Sequence, residues 1–177
     1  MPGLLTIGHS NRPLREFLEL LSAHRVQVLV DVRTIPRSRH NPQFNRESLP
    51  GSLRGVGIDY AHLPGLGGLR KPRTDSPNTG WRNLSFRGYA DYMQTPQFEQ
   101  QLAGLIDLAR ERRVAMMCAE SVPWRCHRSL IADALAARDV EVFHIMSPER
   151  TEAHKLTAFA HVEDGCVSYP PADMQLF

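Results

Sequence analysis

The chain has 177 residues, of which 42% are hydrophobic, and a formal net charge of +2. This length suits one domain over residues 1–177, no apolar run reaches the roughly 20 residues of a membrane-spanning helix, and the N-terminus lacks the pattern of a signal peptide. We therefore expect a cytoplasmic protein without membrane association, whose three cysteines stay reduced and form no disulfide framework.

Short apolar runs alternate with amphipathic segments along the chain. In chain order, the patterns predict a strand at 4–7, a helix from Pro13 to about His24, a strand at 26–32, a short helix at 45–53, a strand at 58–62, helices at 86–93 and 96–113, a strand at 114–118, a helix at 125–138, a strand at 140–145, a helix at 149–159 and an edge strand at 167–169. Such alternation is typical of a Rossmann-like α/β fold. The predicted architecture is a three-layer sandwich around a mainly parallel sheet of about five strands.

Positive charge is concentrated in one part of the chain. Residues 33–87 contain ten Lys or Arg against three Asp or Glu, a net charge of +7, while the rest of the chain carries −5. Within this part, residues from about 64 to 84 are rich in Gly, Pro and Arg, which predicts a basic lid loop. A basic loop of this kind favours an anionic partner, either a phosphate-bearing small molecule or nucleic acid, although it is also compatible with a solvated surface loop.

Polar residues lie at or just after the ends of the first five predicted strands. Because the carboxyl ends of parallel strands meet at one edge of the sheet, these residues predict a single crevice there. The residues are His9 and Ser10 after the first strand, Asp31 and Arg33 after the second, His62 after the third, Cys118 and Glu120 after the fourth and His144 after the fifth.

The turn between the fourth strand and the following helix is the most informative stretch. Its sequence, from Val114 to Ser129, is VAMMCAESVPWRCHRS, with a buried strand predicted at the start and a helix at the end. Six side chains with chemical or hydrogen-bonding capacity crowd this turn: Cys118, Glu120, Arg125, Cys126, His127 and Arg128. Packing alone does not explain such a density, so we expect binding or catalysis at this turn.

Several motifs together resemble a known family. They are TIGHSN, LVDVRTIPRSRHNPQFN, YAHLPGLGG, FRGYADYM, VAMMCAESVPWRCHR and VFHI, in this order from about Leu5 towards Phe177. The combination of GHS, DVR and CAE followed by CHR is similar to the bacterial family catalogued as domain of unknown function 488. The resemblance implies an α/β fold and a site at these motifs, and it implies no particular reaction.

One interpretation of the site is carboxylate catalysis on a nucleotide, nucleic acid or other phosphate-bearing substrate. Glu120 and Asp31 would do acid–base work, with His127 as a further acid–base group or as a hydrogen-bonding residue that fixes the loop. Asp31 is equally compatible with a structural ion pair. The groups expected to bind substrate are His9, Ser10, Arg33, Arg37, Arg125, Cys126 and Arg128, while Tyr60, Trp81, Phe86 or Tyr89 could stack on a base.

Three other interpretations stay open. Cys118 could be a nucleophile, as in rhodanese-type sulfurtransferases and thiol phosphatases, but the loop after it has no Gly, and Pro123 lacks an N–H group to bind an anion. Cys118, Glu120, Cys126 and His127 could hold zinc or iron, although their spacing is not that of a standard metal motif. The basic loop could also serve a non-catalytic module for nucleic acid or another anion. The sequence does not indicate an oligomeric state.

Overall fold

The central sheet of the computed structural model, which describes residues 3–172, has six strands. They are β1 (Leu4–Gly8), β2 (Val28–Asp31), β3 (Asp59–His62), β4 (Val114–Cys118), β5 (Val142–Ser147) and β6 (Arg150–Ala153). Their order across the sheet is β3-β2-β4-β1-β5-β6. The first five are parallel, and β6 pairs antiparallel with β5. The predicted, mainly parallel sheet is confirmed.

Helices cover both faces of this sheet. They are α1 (Leu14–Ala23), α2 (Leu49–Arg54), α3 (Leu84–Tyr92), α4 (Pro96–Glu111) and α5 (Arg128–Ala136). The apolar sides of α1 and α2 pack with Leu5, Ile7 and Met117 in one core cluster. Those of α3, α4 and α5 pack in a second cluster on the opposite face, with Leu4 and Met116. The chain therefore forms the predicted three-layer α/β sandwich.

Local sequence explains where the longer helices begin. The α4 helix starts at Pro96 after Thr95, whose side-chain oxygen accepts a hydrogen bond from the N–H of Phe98. The α3 helix starts after Asn83, whose side chain accepts from the N–H groups of the second and third helical residues. Both are standard N-cap arrangements that satisfy backbone donors at the start of a helix.

One prediction for the C-terminal part was wrong, and another was confirmed, although in a separate sheet. The segment predicted as a helix at 149–159 instead forms β6, because the chain turns back after Ser147 and pairs with the free edge of β5. Arg150 and Glu152 are exposed charged residues on this edge strand, and they disfavour its pairing with a strand of another molecule. The strand predicted near 167–169 does form, at Cys166–Ser168 (β8), but it pairs with His161–Glu163 (β7) in a separate two-stranded sheet.

The basic loop is irregular but well anchored. After a short 3₁₀ turn at Pro64–Leu66, residues 67–83 contain no helix or strand. Asn78 is fully buried, donates to Asp91 of α3 and accepts from the backbone of Tyr169. The backbone N–H of Arg73 also donates to Asp91. The loop is thus attached to α3 and to the segment after β8.

Within residues 3–172, we find no helix that combines the length and the apolar character needed to cross a membrane.

The topological switch point, where the connections between strands reverse their direction across the sheet, lies between β1 and β4. The helix after β1 crosses towards β2 on one face, and the helix after β4 crosses towards β5 on the other. In open α/β sheets, ligands bind beside such a switch point at the carboxyl ends of the strands. Gly8, the last residue of β1, lies opposite Cys118, the last residue of β4. The residues after these two strands therefore define the edge where a site is expected.

Gly8 allows the two loops after β1 and β4 to approach each other closely. A Cβ atom at this position would lie 1.6 Å from the carbonyl oxygen of Glu120 and 2.8 Å from Nη1 of Arg128. The adjacent N–H groups of His9 and Ser10 donate to the carbonyls of Cys118 and Ala119, at 2.9 Å each. Only glycine fits this contact, so the first motif after β1 serves to dock the loop after β4.

We predict that Gly8→Ala destabilises the protein by about 1–3 kcal/mol or more, because the added methyl group overlaps backbone atoms that cannot turn away. The matched control is Gly104→Ala on the exposed side of α4, where a Cβ meets nothing within 4 Å. That substitution should stabilise the helix by about 0.5–1 kcal/mol. Urea unfolding followed by circular dichroism measures both, and equal stability of Gly8→Ala and wild type would contradict this account of the contact.

Candidate active site at the carboxyl edge of the sheet

A cavity of about 450 Å³ opens at the carboxyl edge of the sheet. Three segments form its walls: the loop after β2, the basic loop with the start of α3, and the loop between β4 and α5. The lining residues are Arg33, Thr34, Ile35, Arg37, Gly68, Leu69, Ser85, Phe86, Tyr89, Cys118, Ala119, Glu120, Arg125, Cys126 and His127. The volume lies within the range of small-molecule sites in proteins.

The cavity brings most of the sequence-predicted residues together. Seven of them line it: Arg33, Arg37, Cys118, Glu120, Arg125, Cys126 and His127. The other four, His9, Ser10, Asp31 and Arg128, are not part of the lining. His9, Asp31 and Arg128 are buried behind it. Ser10 lies at the start of the loop after β1, with a backbone φ of 48° and its N–H bonded to Ala119.

Arg128 is a buried cation whose nearest anionic candidate is a thiol. Its side chain is 2% exposed. Nη1 donates to Sγ of Cys118 at 3.4 Å, and Nη2 donates to the carbonyl of Ser121 at 2.9 Å. None of the ion pairs among residues 3–172 includes Arg128, and its Nε has no hydrogen-bond partner among them. Since buried charges require compensation, the geometry favours a Cys118 thiolate as the counter-ion.

The two site thiols influence each other. Burial by itself raises the pKa of Cys118, but its interaction with Cys126 and the positive charge of Arg128 together bring that pKa below its ordinary value. The pKa of Cys126 is raised well above its ordinary value, by burial and by its contact with Cys118. Of the two thiols, Cys118 is therefore the one that ionises first, while Cys126 is still protonated.

His127 is fixed between the two sides of the cavity. Its Nε2 lies 2.9 Å from the carbonyl of Val32, so this nitrogen carries the proton and donates it, and Nδ1 lies 3.5 Å from Sγ of Cys126. Burial lowers the pKa of His127, and the charge of Arg128 contributes in the same direction. The ring is therefore neutral, with Nδ1 as an acceptor towards the thiols.

Asp31 braces the cavity from behind. It is fully buried, and Arg33 binds both of its oxygens, with Nε at 2.9 Å and Nη2 at 2.7 Å. The Tyr60 hydroxyl donates to the same carboxylate at 2.6 Å, and burial together with this bond raises the pKa of Tyr60. Arg33 also donates to the carbonyl of Phe44. This geometry makes Asp31 a positioning residue for Arg33, which is the member of the pair that lines the cavity.

His9 belongs to the same buried network. Its ring stacks on Phe44 with 4.5 Å between centroids, and Nε2 lies 3.4 Å from Nη1 of Arg33. Burial lowers the pKa of His9, although the hydrogen bond to the carbonyl of Ser10 acts in the opposite direction. Its ring therefore supports the Arg33 side chain from the β1 side.

Glu120 and two arginines stand at the open part of the cavity. Glu120 and Arg125 are exposed, and no ion pair among residues 3–172 includes either of them. Arg37 is also exposed and lies 3.5 Å from Glu47, a contact that solvent weakens. These three side chains are available to a ligand.

The four aromatic residues that were predicted as candidates to stack on a base lie in different parts of the molecule. Phe86 and Tyr89 of α3 line the cavity, and Tyr89 is buried with its hydroxyl donating to the carbonyl of Leu66. Tyr60 instead serves Asp31, as described above. Trp81 lines a second cavity of about 310 Å³ on the other side of the 3₁₀ turn at Pro123–Arg125.

A buried hydrogen-bond chain that no sequence pattern predicted lies behind that second cavity. Asp133 is fully buried and accepts from His154, Thr157 and Tyr169. His154 in turn bonds to His144 at 2.9 Å. Burial lowers the pKa of His144 to about 3, with the neighbouring His154 acting in the same direction. His144 and His154 are therefore satisfied structural histidines, and no spacing in the sequence signals their pairing.

The arrangement does not match a metal centre. Among residues 3–172, no three His, Cys, Asp or Glu side chains converge as metal ligands. Within the predicted zinc or iron set, the Nε2 of His127 already bonds to the carbonyl of Val32. We therefore derive no step from a metal at these residues.

The fold and the cavity define an α/β protein with a polar crevice at the switch point of a parallel sheet. The family model described as domain of unknown function DUF488 matches residues 13–135, most of the chain, and the chain belongs to this family. The GHS and VFHI motifs lie outside the matched segment. No curated protein and no solved structure matches the chain significantly.

We predict that Asp31→Asn costs about 3–5 kcal/mol of stability, because it leaves the buried Arg33 without its counter-charge. The matched control is Asp75→Asn, which removes an exposed ion pair with Arg73 and should change stability by less than about 1 kcal/mol. Urea unfolding measures both variants. If Asp31→Asn were as stable as the control, Asp31 would not be a positioning residue.

Proposed function

We propose that the crevice is the active site of an enzyme that acts on a nucleotide, nucleic acid or another phosphate-bearing substrate. The observation that carries this proposal is that one cavity holds Glu120 and Cys118 between three guanidinium groups, those of Arg33, Arg37 and Arg125. Anchoring groups for an anion and groups able to transfer protons or attack a substrate thus share the same walls.

The three guanidinium groups differ in how free they are to bind a ligand. Arg33 is neutralised by Asp31, whereas Arg125 has no acidic partner among the described residues and Arg37 has only an exposed one. Arg37 and Arg125 are therefore the residues that would bind phosphate, with the bidentate geometry that guanidinium offers. Arg128 was predicted to bind substrate, but its side chain faces Cys118 and Ser121, so we assign it to positioning the thiol.

Glu120 is the proposed acid–base residue. It is exposed, lines the cavity and follows β4 by two residues, on the same side as Cys118. An unpaired carboxylate at this edge can take a proton from an attacking water or give one to a leaving group. The ring of Phe86, on the opposite wall, offers an apolar face to the organic part of the substrate.

Cys118 carries a second candidate function, nucleophilic catalysis. The observation that favours it is the 3.4 Å contact with the Arg128 guanidinium at the cavity wall. A thiolate attack on a phosphoryl or sulfur group would make a covalent intermediate, which carboxylate catalysis would not. The two functions are separated by Cys118→Ser, which abolishes turnover only in the second.

We predict that the protein binds dAMP or a ten-nucleotide single-stranded DNA, and that affinity falls as salt rises. The double substitution Arg37→Ala/Arg125→Ala should weaken binding about ten-fold or more, since each charged hydrogen bond contributes about 1.5–3 kcal/mol. Arg110→Ala is the matched control: this exposed arginine is near the end of α4, at the opposite edge of the sheet, and its loss should leave affinity unchanged. Isothermal titration calorimetry measures these affinities.

The same probes test the chemistry. After incubation, mass spectrometry of the small-molecule or DNA product should show conversion by the wild type, and Glu120→Gln should bind within about two-fold of wild type but lose turnover at least 100-fold. Binding without any conversion would favour the non-catalytic module. Absence of binding to every probe would contradict the proposal.

A further inference from the structure

The two buried thiols of the crevice belong to the same cavity wall. Cys118 ends β4 and Cys126 precedes α5, and both line the cavity. They are close enough for each thiol to shift the pKa of the other. Arg128 holds both sulfurs: its Nη1 donates to Cys118 at 3.4 Å, and its backbone N–H donates to Cys126 at 3.5 Å. The two sulfurs are thus positioned by one residue.

Access to this pair is selective. Cys118 and Cys126 are only 2% and 5% exposed, yet both belong to the cavity lining. A molecule as small as hydrogen peroxide can therefore reach them through the cavity, whereas the thiols of another protein cannot. The remaining cysteine, Cys166, is exposed in β8 and does not line this cavity.

We propose that Cys118 and Cys126 form a reversible redox pair, in which hydrogen peroxide oxidises Cys118 and Cys126 closes a disulfide. The Cys118 thiolate attacks one peroxide oxygen, so an S–O bond forms, the O–O bond breaks and hydroxide leaves, taking a proton to become water. Cys126 then attacks the sulfur of the Cys118 sulfenic acid, so the S–S bond forms and the S–O bond breaks. The hydroxide leaves with the Cys126 proton, and the balance is two thiols and one peroxide giving one disulfide and two waters.

The fold also favours the reverse reaction. In the disulfide, Cys118 no longer carries the negative charge that compensates Arg128, and the guanidinium remains buried beside it. An uncompensated buried cation raises the free energy of the oxidised state. A disulfide destabilised in this way is easily reduced, which is typical of regulatory rather than structural bonds. This inference does not rest on the proposed phosphate-bearing substrate.

The experiment is peroxide treatment of the reduced, full-length wild type, followed by alkylation with N-ethylmaleimide in guanidinium chloride, which exposes every free thiol, and mass spectrometry. We expect loss of the mass of two hydrogens, alkylation of Cys166 alone, and a linked peptide pair containing Cys118 and Cys126. Dithiothreitol should restore all three alkylation sites. Because it uses the unaltered protein, this test does not depend on whether a variant folds.

Three variants assign the roles. Cys126→Ser should stop at a Cys118 sulfenic acid, detected as a dimedone adduct. Cys118→Ser should slow oxidation of Cys126 at least about ten-fold, because Cys126 is buried and its side chain has no guanidinium contact like that of Cys118 among residues 3–172. Cys166→Ser is the matched control and should oxidise like the wild type. The proposal is overturned if Cys118 and Cys126 stay open to alkylation after peroxide, or if the only disulfide formed contains Cys166.

Discussion

The crevice is organised around the buried guanidinium of Arg128. This side chain contacts the sulfur of Cys118, holds the carbonyl of Ser121 and lies against Gly8, so it joins the ends of β1 and β4 to the loop before α5. Without an acidic partner among residues 3–172, its charge needs an anion, and the thiol at the end of β4 is the group placed to supply one. The same contact that secures the loop therefore also activates Cys118.

The buried ion pair between Asp31 and Arg33 supports another wall of the cavity. Asp31 and Tyr60 hold Arg33 from behind, and Phe44 supplies both a carbonyl for Arg33 and a ring on which His9 stacks. The two buried arginines thus differ in charge compensation, because a carboxylate neutralises Arg33 and none among residues 3–172 neutralises Arg128. The cavity therefore has the Cys118 sulfur on one wall and the neutralised Arg33 on the other, while the exposed side chains of Arg37, Glu120 and Arg125 stand at its opening.

The sequence predicted the fold and the location of the crevice well, because strand periodicity and the polar residues after each strand are local signals. It left open whether Asp31 acts on a substrate or forms a structural ion pair, and the structure shows the ion pair. It did not predict that Arg128 turns inward, since an arginine that binds substrate and one that is buried have the same local pattern. The place of Phe86 and Tyr89 in the cavity lining, and the interaction between the Cys118 and Cys126 thiols, depend on how distant segments pack. The error at 149–159 has the same origin, because the free edge of β5 recruited a charged segment as β6.

The most direct test of the account is an ultraviolet pH titration of thiolate absorbance in the Cys166→Ser protein, compared with the Cys118→Ser/Cys166→Ser protein. One thiolate should form below the ordinary cysteine pKa of about 8.5 and only when Cys118 is present, and a second thiol should stay protonated beyond that value. Titration of both thiols at or above the ordinary value would show that Cys118 is not the counter-ion of Arg128 and would contradict the account.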